Sequence, residues 1–185
     1  MSLNQPTSVP LDDEAALVRS AQRDPGQFGA LYDRYVQPVY RYLYSRVGAI
    51  HDAEDLTAQT FLRALEALPR YRHRGHFAAW LFAIARHKAI DYYRGRREHV
   101  ALEETARADD PDPLALAVQS EQHARLAGLV RTLTEDEREL IRLRYTAGLS
   151  YGEMAALTGR NEDAVKKALY RLLDRLQDKM EARNE

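Results

Sequence analysis

Between Arg70 and Arg97, eight arginine or lysine side chains (70, 72, 74, 86, 88, 94, 96 and 97) stand against the single acid Asp91. Interleaved with them are Tyr71, His73, His76, Phe77, Trp80, Phe82, Tyr92 and Tyr93. Cations track phosphates while aromatic faces accept unstacked bases at about 1–3 kcal/mol per base, so this mixture suits a single nucleic-acid strand. Phe77, Trp80 and Phe82 also fit helical spacing, which assigns much of them to a core. Tyr71, His73, Arg74 and His76 follow Pro69 in a short loop and have no periodic reason to be buried. Near the C-terminus, Lys166, Lys167, Arg171 and Arg175 form a second basic set.

Two other clusters invite chemistry and do not sustain it. Asp52, Glu54 and Asp55 could be read as a metal or acid–base site, but three carboxylates in a first helical turn are already favoured by the helix dipole. His73 and His76 have the spacing of two zinc ligands without a third. There is no glycine-rich phosphate loop, no GxSxG and no nucleophile–base motif, so the expectation is a non-enzyme with no cofactor and no metal.

The elements that must position these residues are helical. The chain has 185 residues, 45% apolar and 30% charged, which fits one or two small domains and excludes disorder throughout. The absence of cysteine removes any disulfide framework, thiolate nucleophile or Cys-ligated zinc. No run approaches 18 apolar residues and the first residues lack a signal-type pattern, so we expect a soluble, cytoplasmic chain without membrane insertion. The 27 cations and 28 acids nearly cancel, but residues 95–118 carry an acidic excess and two prolines, the composition of a linker.

A short helix is expected after Asp12, ending at Pro25. Phe28, Leu31, Tyr35, Val39, Leu43 and Val47, with Tyr32, Val36, Tyr40 and Tyr44 beside them, predict an amphipathic helix closed by Gly48 and kinked or divided by Pro38. Asp52 reads as the N-cap of a third helix, whose buried face is Leu56, Thr60, Phe61, Ala64, Leu65 and Leu68. A fourth helix would bury Phe77, Trp80, Leu81, Ile84 and Ile90 and expose Arg86, Lys88 and Arg94. In the second block, Thr134 with Glu137 and Ser150 with Glu153 are capping boxes, Gly148 and Gly159 are stops, and Asn161 caps a final helix lined by Val165, Leu169, Leu172, Leu173, Leu176 and Met180. A short helix, a turn with glycine and a longer helix with basic residues make a helix-turn-helix, which serves either major-groove recognition or a structural hairpin.

Three ordered segments carry a resemblance: DAEDLTAQTFLRALEALPRY (52–71), AAWLFAIARHKAIDYYRGRR (78–97) and LTEDERELIRLRYTAGLSYGEMAALTGRNEDAVKKALYRLLDRL (133–176). Together the chain resembles the extracytoplasmic-function sigma factors of the sigma-70 family, over about residues 12–180. The resemblance implies an all-α protein of two helical domains: a region-two domain at 12–96, a linker at 97–118 and a region-four helix-turn-helix domain at 119–182. It implies that the helix at 52–68 docks on core RNA polymerase through Asp52, Glu54, Asp55, Leu56, Gln59 and Phe61. It implies contact with the minus-10 element, opened as a single strand, by Arg70, Tyr71, Arg72, His73, Arg74, His76, Phe77, Trp80, Arg86, Lys88, Tyr92 and Arg94. For the minus-35 duplex it points to Ser150, Tyr151, Arg160, Asn161, Glu162, Ala164, Lys166, Lys167 and Arg171.

The implied partners are core polymerase, promoter DNA and an anti-sigma protein, with a monomer as the free state. Three positions depart from the family pattern. Ala58-Gln59 stands where Gln-Glu is frequent, Lys167-Ala168 where Ser or Thr precedes Arg, and His87 where Asn is common. A point charge at Lys167 replaces a bidentate donor. The rival functions are a stand-alone helix-turn-helix regulator and a helical interaction protein. The first needs a dimer surface, and neither accounts for a loop of cations and rings.

Overall fold

The computed structural model describes residues 11–72, 75–102 and 128–181, all without strands. Helix α1 spans Leu11–Arg23 and is followed by a 3-10 turn at Pro25–Gln27, where the Asp24 carboxylate accepts from the Gly26 N–H. Helix α2 runs unbroken from Phe28 to Val47 with Pro38 inside it, so the expected division does not occur. Proline removes one backbone donor, but Tyr35, Val39, Tyr42 and Leu43 on either side are buried and hold the helix through tertiary packing. Helix α3 spans Ile50–Ala67 and leads into a 3-10 turn at Leu68–Arg70. Its N-cap is Ala49 rather than Asp52, which is the third residue of the helix, still in the first turn, where the dipole favours it.

Helix α4, Phe77–Leu102, continues beyond the boundary expected at residue 96. The rest of the acidic linker and the start of the C-terminal block lie outside the described residues. The buried stripe of α4 is Phe77, Ala78, Leu81, Phe82, Ala85 and Ala89. Ile90, expected inside, is 43% exposed because it lies one residue, about 100°, round from Ala89. Leu65 is likewise at the rim of the α3 stripe rather than in the core.

In the C-terminal part, α5 spans Glu135–Ile141 and its capping box is complete: the Thr134 hydroxyl accepts from the Glu137 N–H, and the Glu137 carboxylate accepts from the Thr134 N–H. The chain then widens into a π-helical turn at Arg142–Thr146, where the Ala147 N–H donates to the Arg142 carbonyl at 2.8 Å. A second capping box, Ser150 with Glu153, starts α6 (Tyr151–Thr158). Gly159, at φ 67, closes α6 in the left-handed region that a side chain disfavours. Asn161 accepts from the Asp163 N–H at 2.8 Å and starts α7, Glu162–Glu181, which buries Val165, Leu169, Leu172 and Leu176. These starts and stops lie where the sequence places them.

The two helical groups meet: α4 packs on α6 and α2 on the π-helical turn, and their apolar residues join one core. At this junction the buried Glu139 carboxylate accepts from the Tyr42 hydroxyl at 2.7 Å and pairs with Arg46 at 2.6 Å and Arg86 at 3.7 Å. Arg46 and Arg142 also reach Glu135, at 3.5 and 2.9 Å. Burial, reinforced by the Glu139 charge, pushes the Tyr42 phenol far above its ordinary range, so it stays a donor. A buried carboxylate is tolerable only with such a set of partners.

Candidate nucleic-acid interface

The basic segment at the start of α4 is built around an aromatic cluster. Tyr71 lies 4.5 Å from Trp80 and 5.6 Å from Phe77, and Phe77 lies 5.3 Å from Trp80, as ring-centroid distances. Phe77 is buried and is a core residue under this surface, which removes it from the set of direct strand contacts. Trp80 and Tyr71 are half-buried, each with part of its ring outside. Tyr71 is therefore not the freely exposed loop residue that its lack of periodicity suggests. The ring of Phe77 beneath it supplies a tertiary reason for burial. Arg70 and Arg72 are exposed beside this cluster, and Arg86, His87 and Arg94 are exposed further along α4. His73 and Arg74 lie outside the described residues.

Several members of the segment have partners elsewhere. The Tyr92 hydroxyl donates to Asp52 at 2.8 Å, joining a residue expected at DNA to one expected at polymerase. Burial first, then this bond, raises the Tyr92 phenol. His76 lies against Gly152 of α6, where an added Cβ would come within 3.3 Å of the imidazole Cε1. Arg86 faces Glu139, as described above.

On α3, Glu54, Asp55 and Gln59 are exposed, as a docking face requires. Leu56 and Phe61 are not on that face. Both are buried, because positions 53, 56, 57, 60, 61 and 64 form the inward stripe and Phe61 packs edge-on against Phe28 and Tyr32. The outward apolar residues are Leu62 at 60% exposure and Ile50 at 55%, both missed in the sequence, and Leu65, which the periodicity places inside. Position 62 could have been found as an apolar residue lying off the 53–64 stripe, about 100° round from Phe61.

Most of the helix-turn-helix candidates are exposed. Lys166, Lys167, Arg171, Asn161, Glu162 and Ala164 are exposed on α7 or at its start. Tyr151 is half-buried, with the Arg144 guanidinium 4.7 Å from its ring centroid and the Lys166 ammonium at 6.0 Å. The Ser150 hydroxyl is engaged in its capping box, and Arg160 pairs with Asp136 at 3.6 Å. Glu14, Gln22, Tyr42, Arg46 and Glu139 carried no sequence signal, because their closest partners across the fold are distant along the chain.

Among the described residues no group of His, Asp or Glu is arranged to hold a metal ion, and no helix is long and apolar enough to cross a membrane. Comparison with known proteins places this arrangement. The description of Sigma-70 region 2 matches residues 31–99, and that of Sigma-70 region 4 matches residues 123–176. The chain is 38% identical over 161 residues to the ECF RNA polymerase sigma factor BldN of Streptomyces coelicolor, covering 84% of this chain and 61% of that protein. It is 33% identical over 180 residues to the ECF RNA polymerase sigma factor SigC of Mycobacterium tuberculosis, covering 92% and 94%. Among solved structures, CnrH in complex with the cytosolic domain of CnrY superposes with a TM-score of 0.65 at 28% identity, covering 90% of this chain and 96% of that one.

Proposed function

Because this chain belongs to the extracytoplasmic-function sigma factors of the sigma-70 family, we propose that it binds core RNA polymerase and directs initiation by dividing promoter recognition between its two helical groups. The observation that supports this reading is the presence, on one chain, of two basic surfaces of different construction. One is a ring cluster flanked by cations, and the other is a basic helix-turn-helix. The first has single-strand chemistry and the second has duplex chemistry. A stand-alone regulator would need only the second.

In this division Trp80 and Tyr71 take the exposed faces of the minus-10 bases, while Arg70, Arg72 and Arg94 track the strand. A base must leave the stack to reach a ring, at a cost of a few kcal/mol, so bound polymerase must supply contacts that the free chain lacks. Lys166, Lys167 and Arg171 on α7 face the minus-35 duplex, with Tyr151 supporting Lys166. Exposed Glu54, Asp55 and Gln59, together with Leu62, form the polymerase-docking face of α3. The region-two unit is proposed to span 12–96 with α4 extending from it, and the region-four unit 119–182. A regulatory protein that occupies these faces is the third partner, an anti-sigma protein. The chain itself does no catalysis, needs no cofactor, works in the cytoplasm and is a monomer when free.

The test is run-off transcription with core polymerase from the matching organism, this protein and a genomic fragment library, with transcript starts read by sequencing. Discrete starts sharing two upstream elements are expected. Trp80→Ala should reduce strand opening at those promoters, and Lys167→Ala should weaken duplex binding without changing it. Absence of starts from folded protein and active core would overturn the proposal.

A further inference from the structure

The segment that joins the 3-10 turn to α4 is held at both ends by α1, which lies ahead of the region-two match at residues 31–99. At its leading end, the Gln22 side-chain amide donates to the Leu68 carbonyl at 3.0 Å and to the Tyr71 carbonyl at 2.6 Å. At its trailing end, the Glu14 carboxylate accepts from the Phe77 backbone N–H at 2.8 Å through Oε1, and from the Tyr35 hydroxyl through Oε2. Glu14 is only 3% exposed. An acid at that depth is costly unless its oxygens are matched, and here it meets a phenol and the first N–H of a helix, where the dipole favours negative charge. Burial and the bond to Glu14 push the Tyr35 phenol far above its ordinary range, which keeps it a donor.

Gln22 and Glu14 are eight residues apart, or about 12 Å along one rigid helix. Their two grips therefore fix the distance between the backbone of Tyr71 and that of Phe77. Tyr71, Phe77 and Trp80 form the ring cluster, and Tyr35 packs 5.5 Å from Phe77 beneath it. A shift of either backbone end would move the rings relative to one another.

We propose that α1 acts as a gauge for the strand-binding loop, with Glu14 and Gln22 as positioning residues that set the spacing of Tyr71 and Trp80 for a single DNA strand. This rests on the reading of that loop as the minus-10 reader. Neither residue touches the DNA; both act through the backbone that carries the rings. Their loss should affect binding of the opened strand while leaving polymerase docking and duplex reading intact.

The experiment uses holoenzyme reconstituted with wild-type protein or with Gln22→Leu, Glu14→Leu, Glu14→Gln or Trp80→Ala. The probe is a fluorescent single-stranded oligonucleotide carrying the non-template minus-10 sequence of a promoter recovered by the transcription experiment. Core affinity is titrated in parallel. Gln22→Leu and Glu14→Leu should each weaken oligonucleotide binding about tenfold, with core affinity within about twofold of wild type. Glu14→Gln keeps an acceptor for the Phe77 N–H and should recover most of that loss. Should Glu14→Leu fail to fold, Gln22→Leu and Glu14→Gln carry the comparison. Wild-type oligonucleotide binding by the Gln22→Leu holoenzyme, alongside weakened binding by Trp80→Ala, overturns the role of α1 alone. Unchanged binding by Trp80→Ala overturns the reading of the loop itself and the proposal with it.

Discussion

Replacing Glu139 by alanine removes the acceptor of the Tyr42 hydroxyl and the closest counter-ion of Arg46 in one step. Loss of one member of a buried pair costs about 3–5 kcal/mol when the remaining charge has nowhere to turn. Here Arg46 and Arg142 retain Glu135, at 3.5 and 2.9 Å, and the Glu135 side chain is about half exposed and screened. The contact between the helical groups should therefore weaken by about 2 kcal/mol, roughly thirtyfold in a docking equilibrium.

Small-angle scattering provides the assay, since a compact chain of this length has a radius of gyration of about 16 Å and undocking must increase it. Far-ultraviolet circular dichroism should stay unchanged, because Glu139 caps no helix and alanine is a strong helix former at its place inside α5. The pair must also be non-additive: Tyr42→Phe should cost about 1 kcal/mol in the wild-type background and much less once Glu139 is alanine. An unchanged radius of gyration, or additive losses in that cycle, would refute the view that Glu139 organises the junction.

Other predictions are more local. Thr134→Ala and Ser150→Ala each remove half of a capping box and should lower stability by about 1 kcal/mol, read from thermal or urea unfolding. Gly159→Ala should cost about 1–2 kcal/mol from backbone strain alone, since an added Cβ meets nothing within 4 Å, and Gly159→Asn should recover part of it. Leu62→Asp, at an exposed site, should leave unfolding unchanged while lowering core affinity about tenfold or more in a binding titration. The Arg175 guanidinium, and then the Thr134 backbone, hold the Glu137 carboxyl below its ordinary range. This pair's contribution to stability is present above the unfolded carboxylate value and is lost as pH falls through the depressed folded one. Arg175→Ala should move the Glu137 carboxyl titration upward by nuclear magnetic resonance, and no upward movement would remove Arg175 as the cause.

Local signals were legible and long-range ones were not. Thr134, Ser150, Gly159 and Asn161 act on backbone groups two to four residues away, so type and spacing sufficed to place α5, α6 and α7. Pro38 misled because the cost of a missing donor is also local, whereas the packing that outweighs it comes from other helices. Leu65 and Ile90 show the limit of periodicity: a stripe gives the direction of a face, but its edges depend on which neighbour covers them, whereas Leu56 and Phe61 are buried as the stripe requires and only the resemblance put them on the docking face. The resemblance supplied two domains and their faces. The tie from Tyr42 to Glu139 spans 97 positions and the one from Glu14 to Phe77 spans 63, and no pattern in the sequence encodes such pairs.

The junction between the helical groups has a thermodynamic consequence for the promoter. The minus-10 and minus-35 elements are, by their names, about 25 base pairs apart, or about 85 Å of duplex at 3.4 Å per pair. Helices α4 and α6 in direct contact cannot reach both. His76 and Arg86, on the segment whose resemblance points to the minus-10 strand, lie against Gly152 of α6 and Glu139 of α5. If the promoter is divided as proposed, docking of the two groups competes with reaching both elements at once, and the apparent affinity for a promoter equals the intrinsic one scaled by the fraction of chains already undocked. Glu139 and its arginines then set a threshold: each tenfold gain in docking demands a tenfold gain in what polymerase and DNA supply together.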